Sequence, residues 1–466
     1  MQQRANSLDA LRGFAIITMV LSATVVAGIL PPWMYHAQTP PPTHLYDPSI
    51  SGLTWVDLVF PFFLFSMGAA FPLSIGRRLG GGESVWRLVG DTVLRWLQLA
   101  FFAIFIQHFY PYVVSQPQDM RSWLLALAAF ALLFPMFMRY PRLPLWGRAA
   151  IKAAAYGAAV AMLLTTRYAG GRVFSLGFSN IIILILSNMA LFGGLTYLFT
   201  ADHRKLRIVI AVVVALLTLG GDVEGSWSSR IMGFSPVGWL LRFDYLRYLL
   251  ILIPASFAGE WLVEAMKSGA TELHSPRNNR SAIVLALLSV VAIVATLWSI
   301  NHHKIGIAFI ANTLYGIFAW LTMRRNDTPM ALLWRRLLLL ALMLMLFGLV
   351  AEPLQCGVKK DPATISYLLS TSALALYALI FLSIVCDYFG CRRSTAFLTM
   401  SGRNPMVAYV AGDLLLYPLF NLTGLSFVLG IFYSTPLLGF LHGVLLTSLC
   451  VLVTMASTKL KLYWRT

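Results

Sequence analysis

Three consecutive stretches decide what kind of molecule this is: SLDALRGFAIITMVL (7–21), WMYHAQTPPPTHLYDPSIS (33–51) and GLTWVDLVFPFFLFSMG (52–68). A charged helix start runs into an apolar span, then a loop with two histidines, then a second apolar span. Each span is long enough to cross roughly 30 Å of hydrocarbon. Backbone groups in lipid must bond internally, and neither run alternates as a strand does, so both read as helices.

The same pattern recurs along the whole chain. Of 466 residues, 59% are hydrophobic and 11% charged, where soluble domains carry roughly 25% charged residues. Fourteen apolar runs can be marked, from 9–30 to 436–457, and because several are short the expected number of spans is 11 to 14. The fold class is therefore all-α: a polytopic helical membrane protein with a cytoplasmic N-terminus, read as one integral membrane domain over 1–466. Its longest external loops are 31–52 and 222–247. The first span leads straight into others and reads as a retained anchor.

The net charge of +17 is a topology signal. With the N-terminus inside, 25 of the 35 Lys and Arg residues fall on the cytoplasmic side, 9 fall outside, and Arg95 lies within a span. That asymmetry follows the positive-inside rule and sets nucleic acid aside as a partner. The four cysteines form neither a disulfide framework nor a CxxC metal pattern.

The candidate residues each have a plain reading and a chemical one. Asp9 and Arg12 share a helix face, as an interfacial anchor or as a contact to an anionic ligand. His36 and His44 flank three prolines that stiffen their loop; they are solvated loop residues, or one is a base near neutral pH. Asp57 is a helix-start charge or the partner of a histidine. Asp91 and Arg95, four apart, are spaced to pair within the third span. Arg77 and Arg78 open an inner loop. Asp244, Lys360, Asp361, Asn404 and Asp413 are polar groups in or beside spans, of the kind that mark a pathway or a site. His302 and His303 lack a nearby carboxylate or cysteine, so no metal is expected.

SLD-x-x-RG, the loop pair His36-Ala37, and G-x-T-x-x-DLVFP-F-x-F-x-x-G over 52–68 closely resemble the heparan-α-glucosaminide N-acetyltransferase family and its bacterial relatives. The later match is looser: Arg95, KKDPATISY (359–367) and GRNPMVAYV (402–410). The chain departs from the family by an insertion over roughly 38–51, which carries His44, and by Ala23 where the family has an asparagine. The resemblance implies transfer of acetyl from cytosolic acetyl-coenzyme A to the amine of a glucosamine across the membrane. It implies His36 as general base or acetyl carrier with Asp57, His44 being the other histidine in question. Arg12, Arg77, Arg78 and Arg95 are the expected coenzyme contacts. Asp244, Lys360, Asp361, Asn404 and Asp413 are the expected amino-sugar contacts. The donor for the tetrahedral oxyanion is expected from Asn404 or a backbone N–H near Gly52.

The expected setting is a bacterial cytoplasmic (inner) membrane, with an amino sugar or glycan end and membrane lipid as partners and a homodimer as a compatible assembly. Two other classes account for the same residues. An amino-sugar transporter uses the carboxylates as hydroxyl ligands and the histidines as proton carriers. A membrane scaffold uses them only to hold helices together.

Overall fold

The computed structural model describes residues 5–25, 28–268 and 276–464, with the side chains of residues 276 and 277 outside the description. Residues 26 and 27 of the expected first span also lie outside it. The chain is helical throughout, and thirteen helices are long and apolar enough to cross a membrane among the described residues. In chain order the crossing helices are α1 (Asn6–Thr24), α2 (Trp55–Gly80), α3 (Val85–Phe109), α4 (Met120–Phe137), α5 (Leu145–Thr165) and α6 (Ile181–Thr200). Next come α7 (Arg204–Gly221), then α8 (Phe243–Lys267), α9 (Asn278–Asn301) and α10 (Ile305–Met323). The last four are α11 (Pro329–Gln355), α12 (Ile365–Tyr388), α13 (Pro405–Leu422) and α14 (Pro436–Lys459).

Helix α7 is the one whose first turn is too charged to qualify by composition, yet it joins the two faces of the bundle. At its start Arg207, 1% exposed, pairs with Glu260 at 2.7 Å. Just past its end Asp222 accepts from Gln355 at 2.5 Å, and Gln355 in turn accepts the Ile365 N–H that opens α12. With α7 counted, fourteen helices among the described residues alternate in direction, and the start of α1 and the segment after α14 lie on one face. There Asp387 accepts the N–H groups of Asn6 and Ser7 at 3.1 and 3.3 Å. Arg403 reaches Asp9 at 3.2 Å, and Asn404 donates to the Leu462 carbonyl at 3.0 Å. The opposite face carries the loop between α1 and α2, fastened where the Gly52 N–H donates to the Val358 carbonyl at 2.9 Å.

Two backbone crossings fix α1 and α2. A Cβ on Gly13 would stand 1.8 Å from the Leu398 carbonyl oxygen, and one on Gly402 would stand 1.8 Å from that of Asp9. Helix α1 therefore lies directly on the short helix Ala396–Arg403, and only glycine permits it. Gly68 and Gly259 do the same where α2 crosses α8. Small residues at such crossings let helices pack without a hydrophobic driving force between them.

Candidate active site

The start of α2 builds the site. The Asp57 side chain accepts the Thr54 N–H at 3.1 Å, closing the first turn as a capping box. The same Oδ2 takes the Ala37 N–H at 3.2 Å. Thr54 Oγ1, 3.0 Å from Oδ2 and 2.8 Å from the Tyr35 carbonyl, has one proton for the two. Oδ1 faces His36 Nδ1 at 2.7 Å. Asp57 is 2% exposed while His36 is 38% exposed. A buried carboxylate thus orients an imidazole that opens to the outside. An acceptor-only oxygen at Nδ1 places the ring proton there and leaves the Nε2 lone pair free.

Pro61 completes the arrangement. It has no N–H for the carbonyl four residues back, which is that of Asp57. The Tyr367 hydroxyl of α12 donates to that carbonyl instead, at 2.8 Å. The two ends of Asp57 are thereby satisfied by different parts of the chain.

The loop before α12 brings Lys360 over the imidazole, with Nζ 3.1 Å from Nδ1 and 3.2 Å from Nε2. Near-equal distances to both ring nitrogens put the ammonium over the ring face, out of line with the Nε2 lone pair. Burial lowers the Lys360 pKa, opposed by the charges of Asp57 and Asp361. Gln38 holds this loop in place. Its side-chain amide donates to the Asp361 carbonyl at 2.6 Å and accepts the Asp361 N–H at 3.0 Å. Arg247 pairs with Asp244 at 2.5 Å and donates to the Ala363 carbonyl at 3.3 Å.

The expected site residues therefore divide. His36, Asp57 and Lys360 meet. Asp361 serves that group through its backbone, its side chain being exposed, and Asp244 serves it through Arg247. His44 stands apart: its Nε2 accepts the Gly28 N–H at 2.9 Å, and its ring packs edge-on to Tyr35 at 4.5 Å. Two expected sugar contacts do not join this group. Asn404 is on the N-terminal face, bonded to the Leu462 carbonyl and the Trp464 N–H. Asp413 lies within α13, in the π-helical turn Gly412–Leu416, within the field of Tyr110, Tyr112, Tyr409 and Tyr417. Ala23 is exposed on α1.

The four expected coenzyme arginines also separate. Asp91 pairs with Arg78 at 2.6 Å, not with Arg95, and Glu83 binds Arg78 as well, at 2.7 Å; this corrects the expected Asp91–Arg95 pair. Arg77 lines a separate cavity of about 1060 Å3 on the N-terminal face, together with Arg204, Glu260, Glu264 and Lys267. Arg12 and Arg95 lie within each other's field. Arg12 donates to the Ser66 hydroxyl and carbonyl at 3.3 and 3.1 Å. Arg95 has a buried Nε with no hydrogen-bond partner among the described residues. Neither has a carboxylate within 4 Å there, because Asp9 turns to Arg403.

One and two turns beyond the two arginines, Ile16 and Met19 of α1 and Leu99 and Phe102 of α3 line a narrow apolar cavity, closed by Phe60 and Phe63 of α2. Phe60 is three residues from Asp57. Ser66, opposite Arg12, is nine residues from Asp57, or roughly 14 Å along the helix axis. The void is small, about 20 Å3, and lies on the stretches of α1, α2 and α3 between the level of the two arginines and that of Asp57.

Tyr367, Thr54, Gln38 and Arg247 were not singled out by sequence reading. Pro61 signals that the Asp57 carbonyl needs a donor, but nothing local identifies Tyr367.

Comparison with known proteins meets the same region. The human heparan-alpha-glucosaminide N-acetyltransferase is 38% identical over 104 residues, which is 22% of this chain and 14% of that protein. The matched part is a small fraction of the relative's length. A family described as a domain of unknown function (DUF5009) matches residues 4–262, just over half of the chain. That stretch takes in α1, α2, the His36 loop and Arg95, and this chain belongs to the DUF5009 family.

Proposed function

We propose that this protein is a transmembrane acetyltransferase that takes acetyl from acetyl-coenzyme A on its N-terminal face and gives it to the amine of a glucosamine-type sugar on the other. The observation that carries this reading is the His36–Asp57 pair at one end of α2, with Arg12 on Ser66 toward the other end and Arg95 keeping a buried Nε without a partner among the described residues. The similarity of 22% of the chain to a membrane N-acetyltransferase supports it. The N-terminal face is cytoplasmic in this reading, because it bears the excess of Lys and Arg.

The chemistry follows from the parts. The polyanionic end of the coenzyme cannot cross lipid, and two arginines without carboxylate partners suit its phosphates. Its thin pantetheine arm passes between α1, α2 and α3 as the side chains around the small apolar void turn aside, and the roughly 14 Å of helix axis from Ser66, which Arg12 holds, to Asp57 is comparable with that arm extended. The acceptor amine donates a proton to His36 Nε2 as its nitrogen attacks the thioester carbon. The tetrahedral intermediate collapses, the C–S bond breaks, and the imidazolium returns the proton to the thiolate. Asp57 stays ionised and holds the charged ring.

The test is direct. Purified protein given acetyl-coenzyme A and glucosamine is expected to yield N-acetylglucosamine, detected by mass spectrometry. His36→Ala is expected to lower the rate by about 10²–10⁴-fold while leaving coenzyme A binding intact. Sugar uptake into vesicles without any acetyl transfer would make the transporter reading the better one.

A further inference from the structure

The proposed step leaves one part unassigned, the group that stabilises the oxyanion. Neither expected donor serves. Asn404 is on the other face, and the Gly52 N–H is spent on the Val358 carbonyl. Nearby hydroxyls are also committed: Tyr367 donates to the Asp57 carbonyl, and Thr54 is shared between Asp57 and Tyr35.

Lys360 differs from all of these. Its ammonium has three protons and makes no ion pair within 4 Å among the described residues. It stands 3.2 Å from the ring nitrogen that accepts the amine proton. An amine hydrogen-bonded to Nε2 places the carbon it attacks one bond further on, and the new oxyanion one bond beyond that. A cation over the face of the imidazole, 3.2 Å from Nε2, is within reach of that oxygen without leaving its loop. Gln38 and Arg247 hold the loop just after Lys360, at Asp361 and Ala363, so the donor is preorganised rather than recruited from solvent.

We infer that Lys360 is the oxyanion-binding catalytic residue of this site, its ammonium receiving the charge that forms on the thioester oxygen while His36 holds the proton. The inference rests on the acetyltransferase reading. As the amine nitrogen bonds to the thioester carbon, the C=O electron pair moves to oxygen beside Nζ. It returns when the C–S bond breaks. No other reactant is needed.

The experiment uses the full-length protein with acetyl-coenzyme A and glucosamine, comparing wild type, Lys360→Met and Lys360→Arg. Loss of one oxyanion donor typically costs about 10²–10³-fold in kcat. Lys360→Met is expected to show that loss with KM for acetyl-coenzyme A unchanged, the signature of a contact made only in the transition state. Lys360→Arg, which keeps the charge, is expected to retain more activity. Lys360→Met with wild-type kcat, or a lost rate with no advantage for Lys360→Arg, would overturn the inference while leaving the acetyltransferase reading standing. A wild-type protein that transfers no acetyl would overturn both.

Discussion

Asp57 serves two structures at once. Its carboxylate caps α2 and aims His36, while its carbonyl, freed by Pro61, is held by α12 through Tyr367. The side chain keeps three of its donors when His36 is removed, so the His36→Ala protein is expected to fold. Tyr367→Phe is a different matter. It strands a buried carbonyl and is expected to cost about 1–3 kcal/mol, read as a lower thermal midpoint with coenzyme A binding preserved. Asp57→Asn puts an amide where Nδ1 needs an acceptor-only oxygen, and about 10²–10⁴-fold of the rate is expected to go in a steady-state assay. His36 and Asp57 were legible in the sequence because both sit in short, ordered motifs. Lys360 could be marked as polar and external, but its place over the ring could not be read, since 324 positions separate the two. His44 looked equivalent to His36 because residue type does not reveal that its ring braces the loop against Gly28.

At the scale of helices, the arginines show how partners decide function. Arg78 is held between Glu83 and Asp91, whereas Arg95 keeps a buried Nε without a partner. Arg95→Gln is therefore expected to weaken coenzyme A binding by at least tenfold, the equivalent of about 1.4 kcal/mol, with reduced salt sensitivity in calorimetry. Arg78→Gln should leave the affinity near that of wild type. Helical spacing made Asp91 and Arg95 look like a pair; the turn at Gly80–Gly82 instead brings Arg78 to Asp91 from another element, a contact no single-helix rule contains. The α1 crossing gives a further test. Gly402→Val would force side-chain atoms into the Asp9 carbonyl, and the expected result is loss of the folded protein from detergent extracts, monitored by size-exclusion chromatography.

The whole molecule is an alternating bundle whose N-terminal face gathers both ends, and the fold class was legible because apolar run length alone specifies it in a membrane. Helix α7 was legible as the apolar run 207–221, whereas the pairing of its first-turn Arg204 and Arg207 with Glu260 on α8 was not. The division of labour between faces was partly legible from the basic loops, but Asn404 shows the limit: it follows an inner basic cluster in sequence, yet its bonds to Leu462 and Trp464, 58 and 60 positions on, appear only once the helices are placed. The central claim is that acetyl crosses the membrane while neither coenzyme nor sugar does. The measurement is made on sealed vesicles holding the reconstituted protein, with glucosamine trapped inside and acetyl-labelled acetyl-coenzyme A outside. The account predicts labelled N-acetylglucosamine in the lumen, no labelled coenzyme there, and loss of the signal with His36→Ala. Glucosamine leaving the vesicles through the protein with no acetylated product would contradict it.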